Sequence, residues 1–389
     1  MLGKQANDED DAINALDVYV LRLKVTSYRN YVSEDLCFEN GLVVLTGSNG
    51  AGKTNLLEAI SFLSPGKGLR AVSRLELVDS VKADQMVPSW GVRANIIRGS
   101  DEVVIGTGRD VLKQSKRTVK IEGHKQSSQA VLPNYVTVMW LTPQMDGLFI
   151  GSSSDRRKFL DRLVYNFNPE HASSVYGYEH TMRQRAKLLQ TGGDSYWLDS
   201  LELKMAEKSI AIAHARLDAL HVIQEVIDQT SSPFPKARIG VEGEVETLCT
   251  NLSALEAEEQ LVIKLKANRV VDAQSKRTNL GVHRSDMAVI HTEKNMPAAS
   301  CSTGEQKAML LSIILAEAKA KMHWKRQRPI LLLDEVVAHL DEQRREYLFQ
   351  ELLNMKCQTF MTGTDSLLFE GLADQSQYFT VDNGSINAS

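Results

Sequence analysis

The stretch GSNGAGKT, residues 47–54, constrains the fold more than any other part of the chain. It matches the pattern G-x-x-x-x-G-K-[ST], whose glycines let the backbone turn tightly and point N–H groups at a phosphate. The apolar run at 41–47 predicts a strand buried on both faces, and the apolar spacing over 53–64 predicts a helix. A phosphate-binding loop requires this strand–loop–helix context, so we predict an α/β fold.

The loop also predicts individual roles for its residues. Lys53 is expected to reach the β- and γ-phosphates of ATP, and Thr54 to hold Mg²⁺ through its hydroxyl, while the start of the following helix favours an anion. The alternative is a glycine turn with a surface lysine. The predicted nucleotide-binding residues are Gly47, Ser48, Asn49, Gly50, Ala51, Gly52, Lys53, Thr54 and Asn55.

A second signal is ILLLDE at 330–335, an apolar strand that ends in two acids. Ligands collect at the carboxyl edge of open α/β sheets, so Asp334 is expected to support Mg²⁺ there. Glu335 is the natural general base for an attacking water, which makes Glu335 and Lys53 the predicted catalytic pair for ATP hydrolysis. The alternative is a buried strand that ends in solvated acids.

The third signal is STGEQK, residues 302–307, before an apolar helical pattern. Ser302 and Glu305 form a capping box that any helix can carry. The stretch also resembles the ABC signature S-G-G-Q, and Leu340-Asp341 resembles the D-loop of that superfamily. The resemblance implies that Ser302, Gly304 and Asp341 contact a nucleotide held by a second subunit.

Composition excludes several classes of function. The chain has 389 residues, 43% of them apolar, and its net charge of −4 excludes a uniformly basic nucleic-acid binder. Four scattered cysteines (Cys37, Cys249, Cys301, Cys357) argue against a zinc site and fit a reducing compartment. Because no apolar run reaches the ~18 residues of a membrane span and the acidic start is no secretory signal, we expect a cytoplasmic protein.

The pattern of elements predicts four segments. These are a flexible acidic tail (1–18), a first ATPase lobe (19–150), a mainly helical insertion (151–285) and the rest of the ATPase lobe (286–389). Within the insertion, 195–229 predicts one helix of about 35 residues, whose length suggests an arm and not a core element. The stretch TFMTGT, near residue 360, predicts the final strand of the sheet.

Several stretches in this order resemble the RecF family, in the SMC-like branch of ABC ATPases. They are SYRNY (27–31), GSNGAGKTNLLEAISFLSPGKGLR (47–70), SSSDRRKFLDRLV (152–164), GVHRSDM (281–287), STGEQKAMLLSIILAEA (302–318) and ILLLDEVVAHLD (330–341). The resemblance implies a P-loop ABC-type head with a mixed sheet and an inserted helical domain. It implies an ATP- and Mg²⁺-dependent dimer, slow ATPase activity and association with the nucleoid. It also implies binding to gapped or single/double-strand junction DNA, together with RecR and RecO, to load RecA onto strands coated by SSB.

The same resemblance suggests further site residues. Arg29 and Asn30 match a place where a basic side chain approaches the nucleotide phosphates, and the alternative is a surface turn. Gln144 lies where a Q-loop residue would contact Mg²⁺, although LTPQMDGLF departs from the family's P-E-D-L. Thr364 is the candidate γ-phosphate sensor.

Basic clusters are the candidates for DNA contacts, since they could neutralise phosphates without reading bases. The alternatives are a solvated helix face or pairing with acids inside the fold. The candidates are Arg156, Arg157, Lys158, Arg162, Arg183, Arg185 and Lys187.

Two other classes of protein are compatible with this sequence. One is another SMC-like ATPase head, of the anti-phage or toxin-associated kind. The other is a transporter ATPase subunit, which would be expected to associate with membrane subunits and to ignore DNA.

Overall fold

The computed structural model describes residues 15–70, 90–109 and 117–388, and most of the predicted acidic tail lies outside these ranges. The strands are β1 (Val18–Tyr28), β2 (Tyr31–Cys37), β3 (Leu42–Thr46), β4 (Gly91–Arg98), β5 (Asp101–Arg109), β6 (Arg117–Ile121), β7 (His124–Lys125), β8 (Val138–Leu141), β9 (Ala237–Glu242), β10 (Asp286–His291), β11 (Met296–Pro297), β12 (Ile330–Leu333), β13 (Thr359–Gly363), β14 (Ser376–Asp382) and β15 (Ser385–Ala388). The α-helices are α1 (Lys53–Ser61), α2 (Ser153–Tyr165), α3 (His171–Thr191), α4 (Ser195–Gln229), α5 (Glu244–Asn251), α6 (Ala254–Ala267), α7 (Arg269–Ser275), α8 (Thr303–Lys325) and α9 (Glu342–Met355).

The sheet that carries the phosphate-binding loop has the strand order β15-β14-β3-β13-β12-β8. The four pairings that join β14 to β8 are parallel, and β15 adds an antiparallel edge. The apolar strands β3 and β12 are buried on both faces, because a parallel sheet is covered on both sides. The predicted mixed-sheet α/β head is therefore confirmed.

A second, antiparallel sheet has the order β2-β1-β4-β5-β6-β7. Buried residues alternate along β1, as expected for a strand with one face on a core. That core is shared with the first sheet and with α1, and it includes Leu23, Leu45, Leu57 and Phe360.

The chain divides into two compact units. The first holds the described residues up to Asp146, Thr230–Pro235 and the residues from Ser302 onward, and the second holds Gly147–Gln229 and Lys236–Cys301. Where the sequence placed a boundary after residue 285, the structure places it after Cys301, because β10 pairs with both β9 and β11.

The second unit is built around α4, whose 35 residues match the predicted helix. The expectation that this helix forms an arm is wrong, because α3, α5 and α6 pack along it. Its buried face includes Met205, Ile210 and Ala213, together with the charged residues Glu202 and Arg216. A helix of this length is therefore a core element here.

The prediction that β13 is the last strand is also wrong, since β14 and β15 follow it and complete the edge of the sheet. The four cysteines are free thiols, and three of them are buried. Within the described ranges, no helix is both long and apolar enough to cross a membrane.

Candidate nucleotide-binding site

The phosphate-binding loop connects the end of β3 to the start of α1, as the sequence predicted. Gly47 has φ of +148°, and a Cβ there would lie 2.2 Å from the carbonyl oxygen of Val381. A side chain at this position would therefore collide with the backbone of β14, in addition to adopting an unfavourable conformation.

Lys53 is folded over the inside of this loop. Its ammonium group donates hydrogen bonds to the carbonyl oxygens of Gly47 (2.7 Å) and Ser48 (2.9 Å), and the residue is only 4% exposed. Burial lowers the pKa of Lys53, and the nearby carboxylates of Glu335 and Asp334 oppose that shift. The loop therefore surrounds a buried cation, which is the group expected to neutralise phosphate charge.

Three hydroxyl and carboxyl groups meet at the carboxyl edge of the sheet. Asp334 follows β12, and its Oδ1 accepts hydrogen bonds from Thr54 Oγ1 (3.0 Å) and Thr362 Oγ1 (2.8 Å). Burial raises the pKa of Asp334 and repulsion from Glu335 adds to this, whereas the two hydroxyl bonds favour the charged form. The strand order explains the meeting, because β13 with Thr362 lies between β3 and β12.

Glu335 comes next, half-buried and with a backbone φ of +53°. For a residue other than glycine, such a conformation is uncommon and costs about 1 kcal/mol or more. The Glu335 N–H donates to Thr362 Oγ1 at 2.9 Å, so one threonine hydroxyl positions both acids of the predicted motif. Thr362 is 1% exposed, whereas the predicted sensor Thr364 is exposed to solvent.

These groups fit the ions that the motif implies. Thr54 and Asp334 supply hard oxygen donors at one point, which suits Mg²⁺, a cation that takes one or two protein oxygens plus phosphate oxygens and water. Mg²⁺ at these oxygens would neutralise charge on the phosphates of ATP. The described residues contain no cluster of three or more His, Cys, Asp or Glu that would form a separate metal site.

A set of side chains braces the loop from outside. Asn30 Nδ2 donates to the carbonyl of Ala51 (2.8 Å), and Asn55 Nδ2 donates to Asn30 Oδ1 (2.7 Å). Arg70 Nη1 donates to Asn55 Oδ1 at 2.8 Å, and Tyr31 OH donates to the carbonyl of Gly52 at 2.9 Å. Asn30 and Asn55 were predicted to bind nucleotide and here support the loop that would do so.

Arg29 makes a bidentate ion pair with Glu58 of α1, with nitrogen–oxygen distances of 2.8 and 2.9 Å. Glu58 is fully buried and Arg29 is mostly buried, so the pair ties the turn after β1 to the helix of the phosphate-binding loop. A direct contact between Arg29 and phosphate stays a prediction.

The signature-like residues form the start of α8. Ser302 is its N-cap, and the capping box with Glu305 is complete, with Ser302 Oγ donating to Glu305 Oε2 at 2.9 Å. Ser302 and Gly304 are exposed, and a Cβ at Gly304 would have no atom within 4 Å. Asp341 is likewise exposed and caps α9 by accepting from the Arg344 N–H at 2.8 Å.

A cleft opens beside Glu335, between the loop after β8 and the start of α8. It is lined by Leu141, Thr142, Pro143, Asp146, Lys307, Leu311, Asp334, Glu335, Val336, His339 and Leu340. Asp146 and Lys307 form an ion pair of 2.9 Å across it. Gln144, the predicted Mg²⁺ ligand, is exposed in a short 3₁₀ turn and is not among the lining residues. Its contact with Mg²⁺ stays a prediction.

The candidate DNA contacts differ in their surroundings. Arg185 is fully buried, with ion pairs to Glu202 (2.9 Å) and Asp272 (2.7 Å), so its assignment as a DNA contact is wrong. Arg156 binds both carboxylate oxygens of Asp286 at 2.7 Å, which is the pairing left open by the sequence.

The other candidates reach the surface to different degrees. Lys158 and Arg183 are exposed and pair with the neighbouring acids Asp155 and Glu179 of their own helices. Lys187 is exposed and Arg157 is half-buried. Arg162 lies over the ring of Phe159 with 5.0 Å to the ring centroid.

Comparison with known proteins shows which family this chain resembles. The model of the RecF/RecN/SMC N terminal domain family matches residues 19–387. Proteins described as "DNA replication and repair protein RecF" are similar over 95% of the chain: one from Agrobacterium fabrum is 42% identical and covered to 99%, and one from Brucella suis is 44% identical and covered to 96%.

Solved structures agree on the fold. A Smc head domain from Pyrococcus furiosus, bound to the C-terminal domain of ScpA, has a TM-score of 0.53 at 15% identity over 96% of each chain. A structure of the recombination mediator protein RecF-ATPrS in the RecFOR pathway has a TM-score of 0.83 at 23% identity, covering 96% of this chain and 99% of that one.

The sheet order, the phosphate-binding loop and the acidic strand together define an ABC-type ATPase head of the SMC-like class. Relatives more than 40% identical over nearly the whole chain point to one family within that class. The chain belongs to the RecF family.

Proposed function

We propose that this chain is a RecF-type recombination mediator that binds and slowly hydrolyses ATP, using the reaction as a conformational switch on DNA. The observation that supports this most is the hydrogen-bonded set of Thr54, Asp334, Thr362 and the Glu335 backbone, beside buried Lys53. These groups lie together at the carboxyl edge of the sheet, where ligands of open α/β folds bind.

Each residue has a chemical role in the proposed reaction. The backbone N–H groups of residues 47–55 and the Lys53 ammonium would bind the phosphates and neutralise their charge. Thr54 and Asp334 would hold Mg²⁺. Glu335 would accept a proton from the attacking water, and the hydrogen bond from its backbone N–H to Thr362 would hold its backbone in place.

We further propose that the ATP site is completed by a second copy of the chain. Ser302 and Gly304 are exposed at the first turn of a 23-residue helix, whose N–H groups suit an anion. The open space around Gly304 supports this role, because glycine weakens a helix by about 1 kcal/mol relative to alanine and no described residue would crowd a side chain there. Asp341 would lie at the same seam, and removal of the γ-phosphate would release the dimer.

The DNA and protein partners are proposed from the similarity of the chain to RecF proteins. RecF relatives are described as DNA replication and repair proteins, and one related structure is assigned to the RecFOR pathway. We propose that the ATP-bound dimer binds gapped or junction DNA and acts with RecR and RecO to promote loading of RecA onto SSB-coated strands. Exposed Lys158, Arg183 and Lys187 remain candidates for backbone contacts.

A DNA-binding assay tests this proposal. Labelled gapped and blunt duplexes are titrated with the protein, with and without ATP·Mg²⁺ and RecR, and Lys53→Ala serves as the control that cannot hold ATP. We expect ATP-dependent binding that favours the gapped duplex and tightens with RecR. Equal binding to both duplexes, or binding indifferent to ATP and to Lys53→Ala, would contradict the proposal.

A further inference from the structure

The loop at 281–286 in the second unit is held in place at nearly every residue. Gly281 has φ of +136°, and a Cβ there would lie 2.1 Å from the hydroxyl oxygen of Tyr178. That hydroxyl also lies 2.6 Å from His283 Nδ1, while His283 Nε2 lies 2.8 Å from the carbonyl oxygen of Thr278. Together these contacts fix the backbone on the N-terminal side of Arg284.

The C-terminal side of the same loop is fixed as firmly. Ser285 Oγ donates to Glu246 at 2.6 Å, and Asp286 is bound through both oxygens by Arg156. The Val282 carbonyl accepts from buried Arg216 at 2.9 Å. The backbone around Arg284 is therefore rigid, although the side chain of Arg284 is exposed.

Arg157 of α2 lies beside this loop. Its Nη1 donates to the carbonyl of Ser285 at 2.8 Å, and this is the one hydrogen bond that its guanidinium makes with a described residue. Burial lowers the pKa of Arg157, the charges of Arg216 and Arg284 lower it further, and the carboxylates of Asp286 and Asp161 oppose the shift. Because Arg157 contacts the backbone of Ser285, the residue next to Arg284, these two cations lie in the same part of the surface.

The acids near this pair are already engaged. Asp286 is occupied by Arg156, and Asp161 is occupied by Arg216 (2.9 Å) and His171 (2.8 Å). Among residues in the described ranges, none forms a hydrogen bond or an ion pair with the Arg284 guanidinium. The like charges of Arg157 and Arg284 repel each other, and an anion bound by both would relieve that repulsion.

We propose that Arg157 and Arg284 form an anion site that binds a backbone phosphate of DNA. Guanidinium groups present paired N–H donors that match the oxygens of a phosphate, and a rigid loop lowers the ordering cost of binding. The site reads no sequence, because it contacts only the backbone. The inference rests on the proposed DNA-binding function and deepens it by naming a site that includes Arg284.

The test measures the salt dependence of DNA binding by fluorescence anisotropy with a gapped duplex in ATP·Mg²⁺. Each lost phosphate contact should reduce the slope of log K against log [salt] by about 0.9. We expect Arg284→Gln to weaken binding and to reduce the slope by about 0.9 per site, or about 1.8 for a dimer that uses both copies. Arg157→Gln should also weaken DNA binding and reduce the slope. Arg284→Lys should keep most of the slope.

Lys204→Gln is the control for a general loss of positive charge. Lys204 is exposed on α4, about 18 Å along the helix from Arg216, and should leave the slope unchanged. If the unmodified protein binds DNA with ATP and Arg284→Gln binds with the same slope, the anion site is refuted while the proposed function stands. If the unmodified protein does not bind DNA at all, both fail.

Discussion

Replacing Thr362 by valine tests how the two acids of the site are positioned. Valine has nearly the same shape, but it cannot donate to Asp334 Oδ1 (2.8 Å) or accept from the Glu335 N–H (2.9 Å). Because Thr362 is only 1% exposed, water is poorly placed to replace these bonds. The substitution therefore removes the shared support of the Mg²⁺ ligand and of the predicted general base.

The two hydrogen bonds of Thr362 set the expected size of the fall in ATPase rate. A hydrogen bond to a charged group contributes about 1.5–3 kcal/mol. If that support is lost in the transition state, the corresponding fall in kcat is about 10- to 150-fold. ATP affinity should change far less, because among the described residues the Thr362 hydroxyl bonds to Asp334 and Glu335 and not to Lys53 or the phosphate-binding loop.

The assay combines steady-state ATPase rates with equilibrium ATP binding. Thr362→Ser keeps the hydroxyl and should retain most of the rate, and Thr364→Val alters the exposed threonine that the sequence favoured as the sensor. Thermal melting of each variant separates loss of positioning from loss of folding. A Thr362→Val protein that hydrolyses ATP at the normal rate, or a Thr364→Val protein with the larger defect, would refute the reasoning.

Three further predictions concern the loop lysine, the buried network and pH. Lys53→Arg should retain some ATP binding but impair hydrolysis, as measured by separate binding and turnover assays. Arg185→Met should lower the free energy of unfolding by about 3 kcal/mol, since it leaves buried Asp272 without its cation, whereas exposed Lys187→Met should not; equal denaturant midpoints would contradict this. Burial lowers the pKa of His283, so the unfolded chain gains a proton that the folded one resists. Stability should therefore fall as the pH drops through about 6.5, and the melting temperature should fall less in His283→Gln between about pH 7.5 and 5.5.

The sequence predicted those parts of the site that are contiguous in the chain. The phosphate-binding loop and the acidic strand each combine an apolar run with a fixed residue pattern, and such patterns determine local structure. Thr362 was missed because its role depends on strand order, with β13 lying between β3 and β12. No local pattern carries that information.

Charged residues were the least predictable part. On α3, Arg185 has the spacing of an ordinary basic helix face, yet its partners Glu202 and Asp272 are 17 and 87 positions away in sequence. The same limit applies to α4, whose length suggested an arm, since no local pattern shows that α3, α5 and α6 pack along it. Arg284 lies in a recognised motif, but only the structure shows that its guanidinium is unpaired among the described residues.

The central claim is that each ATP is held between two copies of the chain. Lys53→Ala removes ATP binding and leaves the signature residues intact, whereas Ser302→Arg blocks the signature and leaves the phosphate-binding loop intact. Neither variant should form an ATP-dependent dimer alone, but an equimolar mixture can build one complete composite site. Light scattering after size exclusion in ATP·Mg²⁺ should therefore show a dimer of two 43.3 kDa chains in the mixture only. A mixture that stays monomeric while the Ser302→Arg chain binds ATP would contradict the claim.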